Sequence, residues 1–366
     1  MKFDRDVNQM SMLLLEKNIE SAREVYRKGK NVSPQIGGDG DYQSLQDLAR
    51  SRDFLSVKDD ESRLYSMYEE FYGNYFADDI VLDAFDDTTL APYKIPILMK
   101  AMVLPQFAIR SFFAAVDKCS TSVEEAIKSW DESVAVLVGS IEATKLLNET
   151  KSGMSWWDLG RDYCSHFNCS GSEEESPSLR KMMTNIELGR QSLDRSDCTT
   201  AKKKVQAIES IMITPIIQGL LYHTAQRQRT EDDYHVGAAY AFGKAIMPVI
   251  SKRRPADANI IGDTLYTSGT YDATNLWTVI VLSLRGFGID CEDMGEDTLN
   301  ILGGKTFCHH ATELTEFPTA APTSAAPNIP TPLPTISPTA DDASTEINAG
   351  VLNGYIFTHV DNSTKL

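Results

Sequence analysis

The sequence predicts an all-α protein made of antiparallel helical bundles. Apolar residues recur with the 3.6-residue period of an amphipathic helix over most of residues 7–285. The two-residue alternation that is typical of strands is scarce in the same range. The segments between the periodic stretches are polar and rich in glycine, serine or proline, as expected for connections between helices.

The periodic stretches follow one another along the first four fifths of the chain. The polar segments GGDGD at 37–41 and SGSEEESP at 170–177 separate some of them. Thr214 and Pro215 form a start signal, because threonine caps a helix and proline fits its first position. The predicted amphipathic stretches are 10–28, 63–76, 95–116, 123–147, 202–227 and 236–250.

An internal repeat is one interpretation of two short motifs. When MVLP at 102–105 is laid on MITP at 212–215, Phe112 falls on Tyr222 and Trp130 falls on Tyr240. A true repeat would give two similar halves, 1–130 and 131–316, with a ligand site between them. The identities are also close to what chance would give, so the repeat stays an open interpretation.

Composition divides the chain into a folded domain and a tail. Residues 1–316 carry the helical periodicity, whereas residues 317–366 begin with prolines alternating with Thr, Ser and Ala. Such a segment cannot bury a core and favours extended, solvated conformations, so it predicts a spacer. The formal net charge of -17 makes nucleic acid and anionic membranes unsuitable partners.

Several features indicate an extracellular compartment. Six cysteines form an even set without CxxC spacing, which allows three disulfides. Cys164 and Cys169 form the expected local pair, since four intervening residues permit a tight loop; buried free thiols in a cytosolic protein are the alternative. Four sequons would accept glycans in a secreted chain, at Asn31, Asn148, Asn168 and Asn362.

The ends of the chain add a further expectation about its compartment. No signal-peptide apolar region opens the sequence, and we expect no membrane-spanning run within it. An extracellular protein with this sequence would be a mature or trimmed form. A membrane anchor or an uptake receptor would then lie outside this chain.

An ordered series of motifs resembles a known family. The motifs are DESVAVLVGSIE at 131–142, DLGRDYCSHFNC at 158–169, NIELGR at 185–190, MITPIIQGLLY at 212–222 and GFGIDCEDMG at 286–295. Together they are similar to the algal low-iron-inducible periplasmic proteins, whose diatom relatives are called phytotransferrins. The resemblance implies extracellular binding of Fe³⁺ for iron uptake, with carbonate as a synergistic anion.

Ferric iron is a hard cation that favours phenolate, carboxylate and imidazole ligands. Motifs of common enzyme classes are absent, so the sequence predicts a binding protein and no enzyme. The candidate metal ligands are Tyr222, Glu142, Tyr240, Asp158 and Tyr72.

Each candidate ligand also has a structural interpretation. Tyr222 follows an apolar run that would bury its phenol, and a hydrogen-bonded core tyrosine is the alternative. Tyr72 belongs to a Tyr-rich stripe at 65–75 that could simply be core, and Tyr240 sits among small residues that favour helix packing. Glu142 ends an apolar segment and is either a costly buried carboxylate or exposed.

Two arginines are candidates for holding the anion. Arg110 is flanked by apolar residues and could bind carbonate, although a guanidinium that snorkels to the surface is the favoured interpretation. Arg161 could do the same or form an ordinary surface pair with Asp162. An extracellular structural or adhesive glycoprotein without metal is the main alternative function, and a carbon-dioxide-responsive enzyme is a weaker one.

Overall fold

The computed structural model describes residues 2–31, 43–53, 55, 57, 63–139, 154–169, 176–230, 232–266, 272–287, 289–304, 307, 351–352 and 355–356. Its contacts divide the chain into two units, Met1–Pro318 and Thr319–Leu366. This division lies close to the predicted boundary at residue 316. In the second unit, the short strands β1 (Val351–Leu352) and β2 (Tyr355–Ile356) form an antiparallel pair.

The first unit is a bundle of helices, which confirms the predicted all-α class. Its first half contains α1 (Phe3–Leu15), α2 (Ile19–Lys28), α3 (Leu45–Ala49), α4 (Arg63–Tyr72), α5 (Phe76–Asp86), α6 (Ala91–Leu98), a π-helical segment (Met99–Val103), α7 (Leu104–Lys118) and α8 (Val123–Val138). A 3₁₀ turn, Ser51–Asp53, follows α3.

The second half of the unit continues the same pattern. It contains α9 (Trp156–His166), α10 (Pro177–Asp194), α11 (Cys198–Ile211), α12 (Ile213–Thr230), α13 (Asp233–Arg253), α14 (Pro255–Tyr266), α15 (Ala273–Phe287) and α16 (Cys291–Met294). Consecutive helices pack together, most extensively α7 with α8, α10 with α11 and α12 with α13. Helix α8 runs across residues 130 and 131, where the two proposed halves would meet.

Several predicted stretches are divided by local backbone features. Lys17 adopts φ 60° between α1 and α2, and Gly139 adopts φ 84° where α8 ends. The stretch 202–227 changes helix at Met212, so Thr214 lies inside α12 and does not cap it. Periodicity alone does not reveal such breaks, because the apolar face continues on both sides of them.

A nearby proline accounts for the π-helical segment. Pro105 lies in the first turn of α7 and has no N–H to donate to the preceding turn. The backbone from Met99 to Val103 adopts the wider π turn just before it. Lys100 is therefore carried on a π turn, a feature that is frequent at functional sites.

Two helical ranges, Ala91–Lys118 and Cys198–Thr230, are long and apolar enough to cross a membrane by length and composition. This differs from the expectation that no run reaches that length. Their most apolar windows are 94% and 72% buried inside the fold, as is typical of helices in a protein core.

Disulfides connect distant and local parts of the bundle. Cys119 at the end of α7 is joined to Cys198 at the start of α11, and Cys164 is joined to Cys169 as predicted. Cys291 is also disulfide-bonded, and no cysteine in the described part of the chain is free. This bonding is compatible with an extracellular protein.

Candidate functional site

A cluster of tyrosines and histidines lies where α9 meets the α12–α13 hairpin. Each of these three helices contributes one tyrosine and one histidine, and ring contacts link all six side chains. We call this group the Tyr/His cluster; it consists of Tyr163, His166, Tyr222, His223, Tyr234 and His235.

Tyr222 is in contact with all three helices of the cluster. Its ring stacks on His166, with ring centroids 4.0 Å apart and an angle of 16° between the ring planes. The centroids of Tyr163 and His235 are each 6.0 Å from that of Tyr222. Tyr222 is partly buried, and 42% of Tyr234 is exposed, so the cluster is open to solvent on one side.

Local sequence features bring the cluster together. Tyr163 and His166 are three residues apart and therefore share a face of α9. The Asp232 side chain accepts a hydrogen bond from the Tyr234 N–H and starts α13 just before the second Tyr-His pair. A Cβ atom on Gly219 would lie 2.4 Å from the Phe242 ring, so glycine is required for this close approach of α12 and α13.

A chain of two hydrogen bonds crosses the cluster from the interior outward. The Tyr163 hydroxyl lies 2.7 Å from His223 Nε2, and His223 Nδ1 lies 2.9 Å from His235 Nδ1. Tyr163 and His223 are buried, whereas His235 is partly exposed. Burial raises the pKa of Tyr163 well above its ordinary value and, aided by the nearby His235, holds the pKa of His223 well below its ordinary value.

The more accessible imidazoles are also neutral at neutral pH. Burial lowers the pKa of His166 from 6.5, and Asp162 opposes this change only partly. Burial likewise lowers the pKa of His235, against the attraction of Asp232. Burial and the neighbouring Tyr222 raise the pKa of Tyr234. The cluster thus combines neutral imidazoles with phenols that ionise only if a cation replaces the proton.

Lys100 adds a positive charge beside the cluster. Burial lowers the pKa of its amine from 10.5, while Asp162 and Asp158 raise it. The charge of Lys100 also contributes to lowering the pKa of His223, and the π-helical segment that carries Lys100 packs against α9 and α13.

Among the described residues, no three His, Cys, Asp and Glu side chains converge as needed to hold a metal ion. Phenol oxygens are further candidate metal ligands in this part of the chain. The Tyr/His cluster supplies them next to imidazoles, a combination suited to a hard trivalent cation.

The predicted ligands are distributed over several places. Tyr222 lies in the Tyr/His cluster. Asp158 is buried at the start of α9, where its carboxylate accepts hydrogen bonds from Ser155 and from the Arg161 guanidinium. Its oxygens cap the helix and neutralise Arg161, so we leave Asp158 out of the ligand set proposed below. Glu142 lies outside the described residues.

Tyr72 and Tyr240 lie in another group of side chains, around the Lys244 amine. That amine is 5.4 Å from the ring centroid of Tyr72 and 5.5 Å from that of Tyr240. The Lys94 amine lies 4.2 Å from the Tyr240 centroid on α13. The Lys94 charge is balanced by its ion pair with Asp87. The Lys244 ammonium next to both rings would instead repel Fe³⁺, so we leave Tyr72 and Tyr240 out of the ligand set proposed below.

The two candidate arginines differ in environment. Arg110 is only 3% exposed, so the guanidinium does not snorkel as favoured from sequence. It donates a hydrogen bond to the Leu55 carbonyl and lies over the Tyr65 ring. Arg161 is paired with Asp158 at 2.8 Å, and its Nε lies 3.8 Å from Asp162.

The sequons also differ in their environments. Asn168 is exposed and donates a hydrogen bond to Glu296. The side-chain amide of Asn31 is partly buried and donates to Asp6. Asn148 and Asn362 lie outside the described residues.

Sequence reasoning missed most of the cluster. The histidines at 166, 223 and 235 and the tyrosine at 234 were not candidates, and Lys100 was not considered. One signal was present, because the dipeptide Tyr-His occurs at 222–223 and again at 234–235, on either side of the turn between α12 and α13.

Comparisons of the chain with protein-family models, curated proteins and solved structures found no match.

Proposed function

We propose that this protein binds ferric iron outside the cell for iron uptake, at the open side of the Tyr/His cluster. Tyr222, Tyr234 and His166 are the proposed protein ligands. The stacking of Tyr222 on His166, with ring centroids 4.0 Å apart, in a cluster where Tyr234 contacts the rings of His223 and His235 is the observation that carries this proposal. The ligand atoms of one metal ion lie within about 4 Å of one another when each metal–ligand bond is about 2 Å, so the Tyr222 and Tyr234 hydroxyls and a His166 ring nitrogen would have to converge to that spacing on binding.

The chemistry of these groups supports Fe³⁺ over softer metals. Phenolate oxygens are hard anionic ligands, and they compensate part of the charge of a trivalent cation. The pKa of His166 is lowered by burial, so its imidazole does not have to lose a proton before it binds a metal. The cysteines in the described part of the chain are disulfide-bonded and therefore offer no thiolate for a softer metal.

A co-bound anion is part of the proposal. Lys100 brings a positive charge to the site, and that charge would repel Fe³⁺ across a partly buried space. A carbonate ion between the amine and the metal would replace this repulsion with two attractions. Arg161 is close to the same acidic groups and could contribute once its pairing with Asp158 changes.

Extracellular location and transport are supported by independent features. The disulfides are compatible with an oxidising compartment. The ordered motifs resemble the algal low-iron-inducible periplasmic proteins, and the proline-rich tail suits a spacer to a membrane anchor or receptor.

The test is a ferric titration of protein isolated without chelators, with and without bicarbonate. We expect one Fe³⁺ per chain when bicarbonate is present, and much weaker binding when it is removed. Metal analysis of the isolated protein provides an independent measurement. Failure to bind Fe³⁺ in either condition would contradict the proposed function.

A further inference from the structure

The direction of the hydrogen bonds between Tyr163, His223 and His235 can be worked out from their partners. Among the residues that the structure describes, His223 is the only hydrogen-bond partner of the Tyr163 hydroxyl. The hydroxyl is buried, so its hydrogen would lack an acceptor unless it points to His223 Nε2. Tyr163 therefore donates to His223 Nε2.

This first bond fixes the rest of the chain. A neutral imidazole carries one N–H, and accepting at Nε2 places the hydrogen of His223 on Nδ1. His223 Nδ1 then donates to His235 Nδ1, 2.9 Å away. Because His235 accepts at Nδ1, its own hydrogen is on Nε2, on the edge of the ring that faces away from His223.

We propose that His235 is a hydrogen-bond donor to a small oxyanion bound beside the ferric ion, and that it is not a metal ligand. This inference rests on the proposed function. A nitrogen that carries a hydrogen has no lone pair for a metal, whereas it can donate to a carboxylate-like oxygen. Tyr163 and His223 act as positioning residues, because they determine which nitrogen of His235 carries the hydrogen.

The charges around His235 are consistent with this role. His235 accepts at Nδ1 from His223, so its imidazole is neutral, and its ring centroid lies 6.0 Å from that of the proposed ligand Tyr222. A neutral N–H can donate to an anion without adding a second positive charge next to the metal. His166 differs, because its ring stacks directly on Tyr222 and no described side chain forms a hydrogen bond with its ring nitrogens.

The first experiment measures the tautomers without metal. Long-range ¹H–¹⁵N spectra of the full chain with ¹⁵N-labelled histidine at pH 7.5 report which ring nitrogen is protonated. We expect the His235 hydrogen on Nε2, with mixed tautomers of His223 and His235 in the Tyr163→Phe variant. A His235 hydrogen on Nδ1, or tautomers that do not change in Tyr163→Phe, would overturn the inference.

The second experiment separates a donor from a ligand. His235→Gln keeps an N–H donor, His235→Leu removes it, and His166→Gln removes a proposed ligand. We expect His235→Gln to bind Fe³⁺ with nearly wild-type bicarbonate dependence, and His235→Leu to need about tenfold more bicarbonate. His166→Gln should bind Fe³⁺ more weakly at every bicarbonate concentration.

The outcomes distinguish the inference from the proposed function. Loss of Fe³⁺ binding in both His235 variants at saturating bicarbonate would show that His235 is a ligand and would overturn the inference alone. Absence of Fe³⁺ binding by the wild-type protein would contradict the proposed function and the inference together. Parallel titrations with phosphate and sulfate in place of bicarbonate identify which oxyanion is accepted. An Fe³⁺ affinity that does not change with any of the three anions would overturn the anion site.

Discussion

The Tyr222 ring stacks on the His166 ring with their centroids 4.0 Å apart, joining α12 to α9 at the open side of the cluster. His166 belongs to the loop closed by the Cys164–Cys169 disulfide, and its carbonyl accepts a hydrogen bond from the Thr298 hydroxyl. The position of one proposed ligand therefore depends on a covalent link and on a neighbouring segment of the chain.

Iron affinity is expected to fall as the pH falls. Metal binding must displace the phenol protons of Tyr222 and Tyr234, and the pKa of Tyr234 is raised by burial. Each displaced proton makes the affinity fall roughly tenfold per pH unit. Protonation of His166 adds to the loss only below pH 6.5, because burial lowers its pKa from that value. Titrations from pH 8 to pH 5 at constant carbonate concentration measure this slope; a pH-independent affinity would contradict phenolate ligation.

The metal-free protein is expected to lose stability in acid because of His223. Its pKa in the folded state is well below the ordinary value of 6.5, so the unfolded chain binds the extra proton first. Stability from this residue is present above about pH 6.5 and decreases as the pH falls towards the folded-state pKa. Thermal unfolding at pH 8 and pH 5 should show a smaller decrease in Tm for His223→Gln than for the wild-type protein. Equal decreases in Tm would mean that His223 does not contribute to the loss of stability in acid.

The effects of the Cys119–Cys198 and Cys164–Cys169 disulfides should be separable. Cys119–Cys198 closes a loop of sequence separation 79, and its removal by Cys119→Ser with Cys198→Ser should cost on the order of 4 kcal/mol of unfolding free energy. Fe³⁺ affinity should change little in that variant. Removal of Cys164–Cys169, which closes a short loop containing His166, should instead weaken Fe³⁺ binding with a smaller loss of stability. Denaturant unfolding and ferric titration on both variants check this contrast.

Tyrosines around Lys244 are expected to be dispensable for iron binding. The Lys244 amine lies near the rings of Tyr72 and Tyr240, and its positive charge disfavours Fe³⁺ there. The double variant Tyr72→Phe with Tyr240→Phe should keep the affinity and visible absorption of the wild-type complex. A large loss of affinity or of visible absorption in this variant would show that Fe³⁺ binds at the tyrosines around Lys244.

The sequence predicts the helical class because amphipathic periodicity is a local property that extends over many residues. Tyr222 could also be named from the sequence, because a phenol after an apolar run is expected near a partner, although the structure buries it only partly. The neighbours of Tyr222 could not be predicted from the sequence, because His166 and His235 reach Tyr222 only through the packing of α9 and α13 against α12.

The position of Lys100 could not be inferred from periodicity either. The π-helical segment before Pro105 changes the direction of the side chains relative to a regular helix. Arg110 was misjudged for a related reason. A long side chain flanked by apolar residues can snorkel or be buried, and only the neighbouring Leu55 carbonyl and Tyr65 ring decide between them.

The most direct test of the central claim is the visible spectrum of the ferric complex in the Tyr222→Phe variant. Ferric phenolate ligation gives a Tyr-to-iron charge-transfer band at neutral pH with bicarbonate. We expect this band to be strong in the wild-type protein and in the control Tyr75→Phe, an exposed tyrosine that bonds to Asp53. In Tyr222→Phe the band should weaken markedly and shift while the far-ultraviolet circular dichroism stays unchanged. A band of full intensity in folded Tyr222→Phe protein would contradict the account.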